Sequence, residues 1–465
     1  MIQYVLLLAI VVLIFHSSLR VSKFELMSPV PLILLGLVVS VLLSIIGLLS
    51  WNSICLSVEV VCIISVGSLG ILSGGFVYQR INQAIKNKAV LQHRSKDDTE
   101  DARTIGGYTY RGVPLSKIIL LGFIVVTAIC LRVYETYEIA KQMGISVSDY
   151  SAMAAEVRQA TESFISADAL RLDVGFSFIE RQLEKIVWAV GFVAAYLIAR
   201  AIIERNKRQI AYAVALMLST WVFYILAGGR GTIMYHIIAI FTVVSILKYA
   251  EPSIDPKGFF KKLVTIGLCS AILCAVGLYA ASYLVGRGAS SGAVDYVSFY
   301  FGGSVPSLEL LIKTQPGSTI PGINTFYYLF SPLYKLGVID TYPNYSLLWV
   351  NLGGYASNIF TCFARYYMDF GLLGVFILSA LSVQIPLCIY NWARNRLTPL
   401  VLVTAGYLSP FLFDCAREEF IFSRLISTSQ LFNIIVIIMV TVYVSYSIPS
   451  LVEGIKKHFS FILNR

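Results

Sequence analysis

The sequence predicts an all-α, polytopic membrane protein with about eleven transmembrane helices and two large extracytoplasmic loops, folded as a single integral membrane domain over residues 1–465. Three observations carry this prediction. The 465 residues are 57% hydrophobic and 13% charged, with a mean hydropathy of +0.76. Soluble domains carry about 25% charged residues, so this chain has too little polar surface to wrap a globule in water. Apolar windows of roughly 20 residues, the length that crosses a bilayer core, recur along it. Its basic residues also crowd into alternate loops. Gly 33, Pro 14 and Cys 8 exclude collagen, disorder and a disulfide scaffold. Most cysteines lie in apolar runs without C-x-x-C spacing and read as small buried hydrophobes.

In chain order, the expected spans are 2–19, 29–50, 54–79, 117–134, 184–203, 210–228, 231–249, 263–285, 368–391, 398–414 and 426–447. The first has no basic residue before it, whereas Arg20 and Lys23 follow it, so it reads as a retained span with its N-terminus outside. That orientation makes the loops near 16–28, 80–116, 200–209, 248–262 and 392–397, Lys117 and the tail after 448 cytoplasmic. Together they hold 23 of the 36 basic residues, the bias the positive-inside rule expects. The net charge of +10 is therefore mostly topological. The basic loop 80–116 also carries Asp97, Asp98, Glu100 and Asp101 and reads as a solvated cytoplasmic loop, not a nucleic-acid site.

The two large segments expected outside the lipid are 135–184 and 286–367. The first contains helix-forming residues from Ser148 to Ala160, expected to lie as an amphipathic helix on the outer face. The second is aromatic-rich, with 12 aromatics in the 54 residues from Tyr296 to Trp349. Such rings suit the apolar face of a sugar, and equally the interfacial belt of a membrane. Gly302-Gly303, Pro306, Pro316-Gly317, Pro321-Gly322 and Pro343 predict short helices and turns there, not strands. No fixed-period repeat or matched pair of broken helices is evident, which weakens a secondary-transporter reading.

Thirteen basic residues remain outside, and five are arginines at the mouths of different spans: Arg230, Arg287, Arg365, Arg417 and Arg424. Guanidinium stays charged and grips phosphate oxygens in a bidentate way, so convergence of these arginines would suit a lipid-linked diphosphate. Singly, each could instead snorkel to headgroups or pair with Glu418, Asp369 or Asp414. Arg417 and Arg424 are seven apart and would share a helix face. Of His16, His93, His236 and His458, none belongs to a metal-ligand cluster, and His236 reads as a core histidine. Glu59 is an intramembrane carboxylate that is either an ion-pair partner or a site residue.

Gly228-Gly229-Arg230-Gly231, the stretch from Ser357 to Thr361 leading into Arg365-Tyr366-Tyr367-Met368-Asp369-Phe370-Gly371, and Ala416-Arg417-Glu418 followed by Ser423-Arg424 together resemble the Wzy-type polymerases of bacterial oligosaccharide repeat units. The likeness covers residues 210–250 and 340–440; elsewhere it is one of hydropathy and loop lengths. It implies a GT-C-like glycosyltransferase architecture in the bacterial inner membrane with a periplasmic active site. The implied reaction is metal-independent and cofactor-free. A growing glycan passes from undecaprenyl diphosphate to the terminal hydroxyl of a new lipid-linked repeat unit, in O-antigen, common-antigen or capsule synthesis. On that basis Arg230, Arg417 and Arg424 stabilise the departing diphosphate, with Arg287, Arg365, Asp369, Tyr366 and Tyr367 binding substrate. Glu418 is the preferred general base, with Asp369, Asp414 and Glu419 as rivals. Membrane lipids, a chain-length regulator and a flippase are the implied partners. An O-antigen ligase, a lipid-linked oligosaccharide flippase and a structural subunit stay open as alternatives; the ligase resemblance would call for a histidine in residues 286–367, and there is none.

Overall fold

The computed structural model describes residues 1–48, 54–93, 113–145, 150, 153–154, 156–157, 175–229, 231–284, 292–315, 317–318, 320–343, 349–353 and 355–446. In chain order the helices are α1 (Ile2–Val21), α2 (Pro29–Gly47), α3 (Val58–His93), α4 (Leu115–Gln142), α5 (Phe178–Ile203), α6 (Lys207–Leu226), α7 (Gly231–Tyr249) and α8 (Pro256–Leu284). After them come α9 (Ala293–Gly302), α10 (Ser304–Thr314), α11 (Tyr327–Lys335), α12 (Phe363–Ser382), α13 (Gln384–Arg396), α14 (Pro399–Phe413) and α15 (Thr428–Ser445). Among the described residues, eleven helical segments are long and apolar enough to cross a membrane, α12 and α13 counting as one. The chain is a multi-pass, all-helical membrane protein. The eleven segments fall where hydropathy places them, because transfer into lipid is decided by local composition.

Three expectations need correction. Residues 286–367 do contain strands: β1 (Val350–Leu352) and β2 (Tyr355–Ser357) pair antiparallel, Val350 opposite Ser357. Cys55, Cys62, Cys130, Cys269 and Cys388 are exposed rather than buried, while Cys362 and Cys415 are buried. An apolar thiol on a lipid-facing helix surface incurs no penalty, so burial is not required of it. Several helices also outrun the expected spans; α4 continues to Gln142 and α12 begins at Phe363. Of the expected helix from 148 to 160, residues 150, 153–154 and 156–157 are helical, and Met153 and Val157 pack with Ile139 and Ala140 of α4; the rest lies outside the described residues.

Small residues set the close crossings. A Cβ added to Gly70 or Gly74 on α3 would lie 2.5 Å from the Phe376 carbonyl oxygen and 2.3 Å from that of Ala380, so α3 and α12 touch backbone to backbone. At Gly36 on α2 it would lie 2.2 Å from the carbonyl oxygen of Phe413, the last residue of α14. Serines lock the same corner: Ser40 and Ser304 share a hydrogen bond of 2.9 Å, Ser44 donates to Gly302 at 2.6 Å, and Ser304 donates to the Ala416 carbonyl at 2.7 Å. In an apolar medium such bonds hold helices together where hydrophobicity cannot discriminate between faces. The turn after α14 is thereby seated on α2, α9 and α10.

α12 is interrupted at Gly371, whose φ of 61° is readily adopted only by residues without a Cβ. Arg365, Tyr366, Tyr367 and Asp369 occupy the short first half. At the opposite end of the bundle, Glu25 pairs with Arg394 and accepts from Tyr390 at 3.3 Å, while Tyr249 donates to the Phe24 carbonyl at 2.7 Å. Burial pushes the Glu25 carboxyl above its ordinary value, against the pull of Arg394.

Candidate functional site

A cavity of about 220 Å³ opens at the end of the bundle where α12 and α15 begin and α14 ends. Its walls come from two segments: residues 358–361 with Arg365, and Asp414, Arg417, Glu418, Glu419 and Arg424. The segments are joined by a backbone hydrogen bond from Cys362 N–H to the Cys415 carbonyl, 2.9 Å. Three of the five arginines singled out from the sequence therefore share one wall system, although about fifty residues separate Arg365 from Arg417. Arg230 and Arg287 lie outside the described residues.

Arg417 and Arg424 lie in the turns between α14 and α15, not on the shared helix face their spacing suggested, and each arginine is held differently. Arg417 donates to Asp414 Oδ1 at 3.0 Å, and its guanidinium lies over the Tyr300 ring, 4.2 Å from the centroid. Burial alone would lower its pKa, but Asp414 and the surrounding tyrosines raise it overall, so it stays charged. Arg365 is buried and donates to the Asn324 carbonyl at 2.9 Å. Arg424 contacts the Glu418 carboxylate. Three guanidinium groups thus face three carboxylates on the cavity wall.

The carboxylates differ in how fully they are engaged. Asp414 accepts from Arg417 on one oxygen and from the Tyr235 hydroxyl, 2.5 Å away, on the other. Glu419 accepts from the Tyr366 hydroxyl at 3.0 Å and from the backbone N–H groups of Phe422 and Ser423 at 2.9 and 2.6 Å. These bonds tie the turn after Glu419 to α12. Asp369 does not line the cavity. It is buried, accepting from Ser318 Oγ at 2.5 Å, from Asn324 Nδ2 at 3.0 Å and from Thr325 N–H at 2.7 Å, and so staples Ser318, Asn324 and Thr325 to α12. Tyr366 reaches the site only through Glu419, and Tyr367 bonds instead to Glu59 of α3. That leaves Glu418 as the wall carboxylate whose one side-chain ion pair among the described residues is with Arg424. Burial pushes its carboxyl up to about 8 against the lowering pull of Arg365 and Arg417. Arg424 contacts the same carboxylate, and 38% of the Glu418 side-chain surface stays accessible.

None of the described loop aromatics from Tyr296 to Trp349 lines the cavity; among the described residues the one aromatic there is Phe360. Tyr300 instead forms the platform under Arg417, and Phe326 packs on Phe422 at 5.6 Å. His236 is fully buried in the helical core, accepting from Trp221 Nε1 at 3.1 Å. Among the described residues no three His, Cys, Asp or Glu side chains converge to hold a metal. Sequence reasoning did not single out Tyr235, Ser304 or Gly36, which position Asp414 and the turn that follows; nothing local marks a partner nearly 180 residues away.

These features define a class: a multi-pass helical membrane protein with a charged cavity of paired arginines and carboxylates at one end of its bundle. Beyond the class, the chain matches no family model, no curated protein and no solved structure.

Proposed function

We propose that this chain is a metal-independent glycosyltransferase that polymerises lipid-linked oligosaccharide repeat units, with the cavity as its active site facing the outer side of a bacterial inner membrane. The observation that carries the reading is the convergence of Arg365, Arg417 and Arg424 around a Glu418 that is not built into the surrounding hydrogen-bonded frame. The donor is a glycan on undecaprenyl diphosphate and the acceptor is the terminal sugar hydroxyl of a second lipid-linked unit. The acceptor oxygen bonds to the anomeric carbon while the bond from that carbon to the phosphate oxygen breaks, its electron pair leaving with the diphosphate. Arginines fixed in advance stabilise that growing negative charge, the kind of stabilisation that contributes most to many enzymes. Arg417 and Arg424 have this role together with Arg230 from the resemblance, and Arg365 and Arg287 help to bind the diphosphate. Glu418 takes the acceptor proton, and a carboxyl raised toward the operating pH is a good base. Asp414, Glu419 and Asp369 position their neighbours and are not bases.

The test is incubation of purified protein with a lipid-linked repeat unit and no nucleotide. A ladder of longer lipid-linked glycans is the expected result. Transfer to lipid A core would instead identify a ligase, and the absence of any product would leave the flippase.

A further inference from the structure

Two residues that line the cavity each carry a buried polar atom with no hydrogen-bond partner among the described residues: Thr361 Oγ1 and Arg417 Nε. Buried polar groups are almost always paired, because leaving one unpaired forfeits its hydration without compensation. Thr361 is 1% exposed, so bulk water does not reach it. Its backbone is otherwise engaged, with the carbonyl accepting from Ala364 N–H at 3.0 Å. The Cys362-to-Cys415 hydrogen bond holds this residue against the segment that carries Arg417. Arg417 uses one terminal nitrogen on Asp414 and keeps Nε for something else.

We propose that Thr361 and Arg417 Nε together bind a phosphate oxygen of the diphosphate, which makes Thr361 a substrate-binding residue; the proposal rests on the function proposed above. An arginine nitrogen can only donate and a threonine hydroxyl donates readily, so the ligand atom they share must accept twice. An anionic phosphate oxygen does so better than a sugar hydroxyl, because hydrogen bonds to charged acceptors are roughly twice as strong.

The distinguishing consequence is that the hydroxyl contributes nothing to folding. Thr361→Val keeps the shape and removes only the unpaired group. Full-length protein in detergent, with a chelator present, is titrated calorimetrically with inorganic pyrophosphate and, separately, with a free repeat-unit oligosaccharide lacking phosphate. Thr361→Val should bind pyrophosphate about tenfold more weakly, ~1.4 kcal/mol, with a ligand-free melting temperature no lower than wild type and oligosaccharide binding unchanged. Thr361→Ser should bind pyrophosphate like wild type. Equal pyrophosphate affinity in wild type and Thr361→Val overturns the Thr361 contact and leaves the proposed function standing. A melting temperature lowered by the valine, or weakening confined to the oligosaccharide, overturns it too. If wild type does not bind pyrophosphate, the proposed function falls and this assignment with it.

Discussion

Asp414→Asn tests whether Arg417 is held in place by charge. The Asp414–Arg417 pair is 3.0 Å long, and both side chains are 12% exposed. At that separation, with an effective dielectric near 20, the gross attraction is about 5 kcal/mol. Asparagine can keep its carbonyl toward Arg417 and turn its amide to the Tyr235 oxygen, so both hydrogen bonds survive in neutral form and the loss is the charge. The net cost should be ~2 to 3 kcal/mol, because a buried guanidinium is left without its counter-charge. Thermal unfolding in detergent should show a clear fall in melting temperature for Asp414→Asn, and a larger one for Asp414→Ala, which also strands Tyr235. Pyrophosphate supplies the missing charge, so on the proposed function it should stabilise the asparagine variant more than wild type. A variant that melts with wild type and responds identically to pyrophosphate would refute the reasoning.

Other variants separate the base from its frame. Glu418→Gln should lower polymer formation by about 10² to 10⁴-fold with the protein still folded, and wild-type activity should climb with pH toward about 8 as the carboxylate form of Glu418 fills; activity independent of pH between 6 and 9 would count against Glu418 as base. Asp369→Asn should cost ~1 to 3 kcal/mol by unsettling the bonds to Asn324 and Thr325. Hydrogen exchange of residues 320–326 should rise, while transfer is slowed but not abolished. Gly70→Ala should destabilise by ~1 to 3 kcal/mol through overpacking against the Phe376 carbonyl, whereas Gly122→Ala, with nothing within 4 Å of the added carbon, should melt like wild type.

Much of the site was legible as residues but not as geometry. Arg365, Arg417 and Arg424 stood out because the positive-inside bias leaves few basic residues outside, and Glu418 because it neighbours them. That Asp369 is a staple, that Tyr367 turns to Glu59, and that Tyr300 carries Arg417 rather than a sugar could not be read along the chain. Each depends on which way a helix is rotated, and helices that are apolar all round carry no periodic signal of their inward face. The strands Val350–Leu352 and Tyr355–Ser357 were missed for a related reason: three-residue strands are shorter than any alternation pattern can register.

The sequence by itself determined that the chain is a multi-pass membrane protein and where its long apolar helices fall, because the free energy of placing a segment in lipid is nearly a sum over its own residues. Only the tertiary structure decided which charges meet. Ser304 holds the Ala416 carbonyl, Tyr235 holds Asp414, and Gly36 admits the end of α14, all across more than a hundred residues of chain. Those contacts leave Asp414 and Glu419 fully engaged and Glu418 facing the arginines. Lipid offers no preference among apolar faces, so close glycine crossings and a few buried hydrogen bonds chose the arrangement.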